Sequence, residues 1–377
     1  MSPAHPPLNE DANAVRARLR HIHRAASDLR RGVPVLLDGD EPLILLAAET
    51  AGPDTMAELA ALGVGEVCLL IAPIRASAVL RQPVDLSVDC VAIRLPPAVL
   101  QPVTVLGMID PTAPQPDIVE PLTAEAAPTL GLQALNLAKI VRLLPAVLAV
   151  RARPDSAAEI ARRGLIAVAA RDLADYPIAE AAGLRQIAAA PVPLADAADA
   201  QVIAFRSDGA GLEHLAIVIG DPRKADAALV RIHSECFTGD LLGSMRCDCG
   251  EQLRGAIRQM AENGSGIVLY LAQEGRGIGL VNKLRAYTLQ DWGLDTLDAN
   301  RVLGWGADER NFLVGAAMLG ELGIKRVRLL TNNPDKLAGL AACGIEVVGR
   351  EAHAFAANAV NEEYLATKAV RFGHMLD

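Results

Sequence analysis

Three of the six cysteines fall close together. Cys236, Cys247 and Cys249 stand in the run Arg231-Ile-His-Ser-Glu-Cys-Phe-Thr-Gly-Asp-Leu-Leu-Gly-Ser-Met-Arg-Cys-Asp-Cys-Gly. Zinc favours thiolates in tetrahedral geometry, and a structural site normally takes four protein ligands. Three ligands leave a fourth position for water, and bound zinc lowers the pKa of that water to about 7. A Cys-x-Cys pair is too tight for an unstrained disulfide, which favours metal over oxidation. Two other readings fit the same spacing. One is a structural zinc completed by His233 or the distant Cys343, and the other is three unconnected thiols.

Three further polar clusters sit at predicted helix starts, two of them directly after a strand. In Gln273-Glu-Gly-Arg-Gly-Ile-Gly-Leu the glycines allow close backbone approach, helix-start amides favour anions, and Arg276 can grip phosphate in bidentate fashion. A tight turn with a solvated arginine reads equally well. In Ala307-Asp-Glu-Arg-Asn, Asp308 is either a helix N-cap, with Glu309 favourable to the dipole, or a carboxylate base beside the phosphate-facing Arg310. In Thr331-Asn-Asn-Pro-Asp-Lys, Pro334 suits a first helical turn and Asn332 or Asn333 can cap it. Thr331 and Lys336 can meet a phosphate at the same helix start. A metal site and basic helix starts in one half point to a phosphorylated substrate and hydrolysis. They do not identify the base or the sugar.

The elements that must position these groups alternate between helix and strand. With 377 residues, about half of them apolar, the chain has material for two cores. Composition shifts near the middle: no Phe, Trp or Tyr precedes Tyr176, and residues 191–208 are rich in Ala, Asp and Pro. The domains are expected at 1–195 and 200–377. In the first half residues 14–30 and 55–62 read as helices and 33–37 and 66–72 as strands. Residues 140–150 read as an apolar run, ambiguous between strand and helix, and residues 1–11 and 110–121 read as loop. In the second half strands are expected at 215–220, 228–233, 267–271, 327–330 and 346–348, with helices at 250–262, 278–291, 308–322 and 334–342. This is an α/β protein, two layered α/β domains with mixed sheets. The net charge of −9 argues against a nucleic-acid or membrane-surface partner. No run is apolar and long enough to cross a bilayer, and the first residues lack a signal-peptide core, so the cytoplasm is the expected compartment.

From about Phe205 onward the sequence strongly resembles GTP cyclohydrolase II, the first enzyme of riboflavin biosynthesis. Arg-Ile-His-Ser-Glu-Cys-Phe-Thr-Gly-Asp, Arg-Cys-Asp-Cys-Gly, Gln-Glu-Gly-Arg-Gly-Ile-Gly-Leu, Asn-Lys-Leu-Arg-Ala-Tyr, Ala-Asp-Glu-Arg and Leu-Thr-Asn-Asn-Pro occur in the family's order. The resemblance implies one zinc per subunit, held by Cys236, Cys247 and Cys249. It implies GTP contacts from Arg231, Ile232, His233, Ser234, Glu235, Gln252, Glu274, Gly275, Arg276, Thr296, Thr331 and Lys336. It implies Asp308 as proton acceptor, Arg310 as nucleophile toward the α-phosphorus, and Tyr287 in the later hydrolytic step. An arginine stays protonated near neutrality, so charge stabilisation of the phosphate is the firmer role for Arg310. The implied reaction attacks C8 of guanine, releases formate, and cleaves pyrophosphate from the triphosphate with magnesium. The product is 2,5-diamino-6-ribosylamino-4(3H)-pyrimidinone 5′-phosphate. A homodimer is implied as well. Trp305 stands where the family usually has Phe.

Residues 28–49 resemble a worn copy of the start of 3,4-dihydroxy-2-butanone 4-phosphate synthase. That enzyme's magnesium-holding acidic loop is missing, since Glu41 runs straight into Pro42-Leu43, and no His occurs between His23 and His214. Magnesium needs oxygen ligands and the synthase chemistry needs placed carboxylates and a base. The first half is therefore expected to keep the fold without the activity. A bifunctional riboflavin enzyme, a nucleotide-binding regulator without turnover, and a hydrolase that stops at the formamide are the competing readings. The cysteines with Asp308, Arg310 and Tyr287 count against a pure regulator.

Overall fold

The structure is a computed structural model, and it describes residues 12–207, 212–353 and 371. The loop expected at residues 1–11 lies outside them. Two mixed sheets of seven strands organise the chain. The first contains β1 (Val35–Asp38), β2 (Leu43–Ala47), β3 (Gly63–Ile71), β4 (Val91–Arg94), β5 (Ala124–Ala126), β6 (Ala146–Ala152) and β7 (Ile166–Ala169). The second contains β8 (Leu184–Pro191), β9 (Gln201–Ser207), β10 (Glu213–Ile219), β11 (Ala228–Ser234), β12 (Gly266–Leu271), β13 (Arg326–Leu330) and β14 (Glu346–Glu351). Their orders are β5-β4-β3-β6-β2-β1-β7 and β14-β13-β11-β12-β10-β9-β8. Among the described residues no helix is long and apolar enough to cross a membrane.

The ambiguous apolar run 140–150 resolves into a helix end and a strand. The helix Gly131–Ile140 stops, Arg142 turns through positive φ, and β6 enters the middle of the first sheet between β3 and β2. β6 is apolar and buried from Ala146 to Val150 because both faces of that sheet are covered, so neither set of alternating side chains in that stretch meets water. The alanine- and proline-rich stretch 191–208 holds the connection from β8 to β9 and β9 itself. β8 pairs antiparallel with β9, so that sheet begins at Leu184.

In the second sheet β11 runs parallel to β12 on one side and to β13 on the other. The chain leaves β11 through the helix Cys249–Glu262 to reach β12, then crosses to the far side of β11 to reach β13. Such a reversal opens a crevice beyond the carboxyl ends of the parallel strands. Residues that follow β11, β12 and β13 all emerge there. The side chains of β11 alternate accordingly. Val230 and Ile232 enter the core under the helix Phe312–Glu321, while Leu229 joins the opposite core under the helix Cys249–Glu262. Arg231 and His233 share the register of Leu229 on that face.

The two halves share a core. Ile278, Ala286, Leu289, Ala299, Leu303 and Trp305 of the second half belong to the same buried cluster as Leu46, Leu69 and Leu148 of the first. Leu289, on the helix Leu280–Asp291, is 2% exposed. Leu289→Ala is expected to cost about 2–5 kcal/mol, the range for a buried leucine truncation. Urea unfolding checks this, and a loss below about 1 kcal/mol would show that the contact between halves is loose.

Candidate active site

The crevice at the carboxyl ends of β11, β12 and β13 is lined by residues of β11 and of the segments that follow all three strands, among them Arg231, Cys236, Glu274, Arg276, Arg310 and Lys336. Cys236 leaves the end of β11. Cys247 precedes, and Cys249 opens, the helix Cys249–Glu262. Their Sγ atoms all lie within 4.8 Å of one another, with Cys236 and Cys247 at 3.7 Å. A tetrahedral zinc with bonds of about 2.3 Å to sulfur requires sulfurs roughly 3.8 Å apart, so the spacing fits the metal. Gly239 roofs the cluster: a Cβ there would lie 2.7 Å from Cys247 Sγ and 3.0 Å from Cys236 Sγ. Cys343 is not part of the group, and it lies half-buried at the end of another helix.

The thiols are not equivalent. Hydrogen bonds from Cys247 and Cys249 hold the Cys236 thiol far below the usual thiol range, with burial opposing and the Lys283 ammonium assisting. Cys247 is pushed up to about 11, first by its hydrogen bond to Cys236, and Cys249 is raised well above its ordinary value for the same reason. Lys283 Nζ donates to Cys236 Sγ at 3.0 Å, to Thr238 Oγ1 at 3.0 Å and to Glu274 Oε1 at 2.8 Å. The Tyr287 hydroxyl is 3.4 Å from Thr238 Oγ1, and burial raises its pKa, so the phenol stays protonated near neutrality. Burial also opposes the charge on Lys283, and Cys236 and Glu274 outweigh it.

His233 is buried against Asp240, 3.1 Å from both carboxylate oxygens, and stacks on Tyr270. Asp240 also accepts from the Cys236 backbone amide at 3.0 Å and from the Tyr270 hydroxyl at 3.0 Å. One carboxylate thus fixes the first cysteine and the histidine together. Arg231 is fully buried. It donates to the Leu330 carbonyl at 3.2 Å and to Gln252 Oε1, whose amide in turn donates to Asp248. Burial lowers the Arg231 pKa to about 10, which leaves it charged near neutrality. Arg231 Nε and Ser234 Oγ are buried and unpartnered in the protein, as expected of groups that meet a polar ligand.

At the other end, Gly275, Arg276, Gly277 and Gly279 all have positive φ. A non-glycine residue there is strained, so the turn that presents Arg276 is held by its surroundings. A Cβ at Gly277 would lie 2.7 Å from the Glu309 carbonyl oxygen, and the Glu309 amide donates to the Arg276 carbonyl at 3.0 Å. That bond explains why residues 308–311 are not helical. The helix is Phe312–Glu321, and its N-cap is Asn311, whose side chain accepts from the Leu313 amide at 3.1 Å. Asp308 is not the cap. Its carboxylate accepts from Arg310 Nε at 2.7 Å and 3.0 Å. Burial pushes the Asp308 carboxyl up, but the hydrogen bonds and charge of Arg310 outweigh it and hold the group below its ordinary value.

Lys336 Nζ donates to the Ile232 carbonyl at 2.8 Å. Thr331 Oγ1 accepts from the Asn333 amide at 3.1 Å, and Thr296 Oγ1 accepts from Gln290 at 3.2 Å. The structure thus gathers Arg231, His233, Ser234, Glu235, Gln252, Glu274, Gly275, Arg276, Thr296, Thr331, Lys336, Tyr287 and Arg310 around one cleft with the cysteines. It does not bring Ile232, whose side chain is in the core, or Asp308, which reaches the cleft only through Arg310. Residues not singled out from sequence also line the wall: Lys283, Gln290, Asn300 and His353. Lys283 sits one helical turn before Tyr287, a spacing that carries the signal. His353 follows β14 and reaches in through the Gln252 carbonyl at 2.7 Å, with no local motif to mark it. Trp305 faces the first half instead, with Lys139 5.7 Å from its ring centroid.

The profile of the family described as GTP cyclohydrolase II matches residues 185–352. GTP cyclohydrolase-2 of Azospirillum brasilense is 47% identical over 367 residues, covering 95% of this chain and 94% of that protein. Riboflavin biosynthesis protein RibBA of Parabacteroides distasonis is 34% identical, covering 95% of this chain and 98% of its own. A solved two-domain 3,4-dihydroxy-2-butanone 4-phosphate synthase, RibBX of A. baumannii, covers 89% of this chain and 99% of its own at 18% identity, with a TM-score of 0.34. The site belongs to the class of hydrolases that act on cyclic amidines. The chain itself belongs to the GTP cyclohydrolase II family.

If the cluster holds zinc through three thiolates, Cys247→Ser and Gly239→Ala should each lower bound zinc at least about tenfold, because one removes a ligand and the other fills the space above the sulfurs. Elemental analysis of dialysed protein checks this. Full occupancy in both variants would contradict it.

Proposed function

We propose that this protein hydrolyses GTP to 2,5-diamino-6-ribosylamino-4(3H)-pyrimidinone 5′-phosphate, formate and pyrophosphate, with zinc at the cysteines and magnesium on the triphosphate. The observation that carries this reading is that the three-thiol cluster opens into the same cleft as Arg231, Arg276, Arg310 and Lys336. A nucleotide spans such a cleft with its base at the sulfurs and its phosphates at the cations.

When bound, zinc supplies a Lewis acid that makes water nucleophilic near neutral pH. The chain's own groups do the rest. Lys283 holds Cys236 and Glu274 in one frame, so the base end is fixed before substrate enters. Tyr287, protonated and beside Thr238, is placed to hand a proton to a leaving amine in the later hydrolysis that frees formate. The Arg276 turn and the buried Lys336 supply fixed positive charge for the phosphates. Asp308 holds the Arg310 guanidinium in place, and in this reading that group faces the α-phosphorus. The working unit in this reading is a cytoplasmic homodimer without nucleic-acid or membrane partners.

For the first half we propose a degenerate synthase fold without synthase activity. Only residues 39–42 join β1 to β2, which is too short for a metal-holding acidic loop. Supplying ribulose 5-phosphate and magnesium should yield no butanone phosphate, and its appearance would overturn this part.

Incubation of zinc-replete protein with GTP and magnesium should release formate, pyrophosphate and the diaminopyrimidine in equal amounts. None of the three would sink the reading. In Tyr287→Phe, formate release should slow at least about tenfold, the usual scale for a lost proton donor, while pyrophosphate release persists. Equal slowing of both would remove the tyrosine from the later step.

A further inference from the structure

The first half grips the second at the segments that carry the site. Arg142 Nη2 donates to the carbonyl of Ala272, the residue before Gln273-Glu274. The Arg142 carbonyl accepts from Nδ2 of the fully buried Asn282 side chain at 2.9 Å, next to Lys283. The stem of Arg142 lies over Gly279, where a Cβ would meet its Cδ at 2.8 Å. Lys139 Nζ donates to Glu309 Oε1 at 2.6 Å, and Glu309 is the residue whose amide holds the Arg276 carbonyl. Arg285, two residues from both Lys283 and Tyr287, donates to Glu49 and Asp110 at 2.7 Å each. Asn311 donates to the Pro177 carbonyl at 2.9 Å.

Two observations set Arg142 apart. Among the described residues three non-glycines have positive φ, and two of them are Arg142, at 59°, and Arg276, at 62°. Both belong to this seam. Strained backbone persists only where the surroundings over-determine it. Arg142 also lies in the field of Glu235 and Glu274, both of which line the cleft. A half that kept only its own fold would have no need of a half-buried arginine that donates to another half's backbone.

We propose that the first half is a positioning scaffold for the site, and that Arg142 is the positioning residue that sets the loop 272–279 and the start of the helix Leu280–Asp291. It does not touch substrate. It fixes where Glu274, Arg276 and Lys283 stand. The activity arm of the test below rests on the GTP reading, and the exchange arm does not.

The experiment compares full-length Arg142→Ala, Arg142→Lys and Lys139→Gln with wild type. Arg94→Ala, a surface ion-pair variant of the first half, is the control. Amide hydrogen exchange by mass spectrometry should be at least about tenfold faster across residues 272–282 in Arg142→Ala, as for loss of a charged hydrogen bond, and intermediate in Arg142→Lys. In Lys139→Gln the faster region should be residues 306–310. Turnover should fall by about tenfold or more in kcat with bound zinc unchanged, and Arg142→Lys should recover part of it. Arg94→Ala should match wild type in every readout. Unchanged exchange across 272–282 in a folded Arg142 variant would overturn the proposal. So would faster exchange with wild-type kcat, because the contact would then be merely structural. If Arg142→Ala fails to fold, Arg142→Lys and Lys139→Gln decide by the same criteria. If wild type itself turns over no GTP, the GTP reading fails, and the exchange arm alone decides this one.

Discussion

The ammonium of Lys283 is the point on which the site converges. It has three protons to give, and its three partners are Cys236, Thr238 and Glu274. One partner belongs to the thiol cluster, one to the loop that roofs it and one to the turn that presents Arg276. A buried cation is costly unless it is surrounded by acceptors. Those three acceptors therefore stay together as long as the helix Leu280–Asp291 delivers the lysine. The helix does so because its other side is buried: Ala286 and Leu289 pack in the core shared with the first half. Hydrophobic burial thus places a helix, the helix places a charge, and the charge holds two loops in register.

The seam between halves changes what the first half is for. Its sheet has cores on both faces, and one of them is completed by residues of the second half. Arg142, Lys139, Glu49 and Asp110 then add directional contacts on top of that non-directional burial. Residues 39–42, the short connection between β1 and β2, take no part in those contacts. The 47% identity to the Azospirillum brasilense protein covers both halves, as retention of the whole arrangement requires.

Much of this was legible in the sequence, and the misses share a cause. The cysteine trio was visible because Cys-x-Cys allows few alternatives, and β11, β12 and β13 announced themselves as short apolar runs. Asp240 and Lys283 sat inside the recognised motifs without a role, since their hydrogen bonds exist only after the loops fold back. The helix expected from residue 308 starts at Phe312 because a bond from Glu309 to Arg276, far away in sequence, takes the backbone first. β8 does not stand out in the sequence because it is an edge strand exposed along most of its length, and it lacks the apolar alternation that marks a strand. Arg142 gave no sign at all. A single arginine beside an apolar run looks like solvent-facing punctuation until its partners on the other half are in view.

The central claim is that the cleft built around three thiols opens the five-membered ring of GTP at C8. GTP labelled with carbon-13 at that position, followed by NMR in the zinc-replete protein and in protein stripped of metal, tests it most directly. The account requires the label to leave the nucleotide as formate only when zinc is present, and to return on adding zinc back. Label that stays in intact guanine with zinc bound, or that is released equally well without metal, would contradict it.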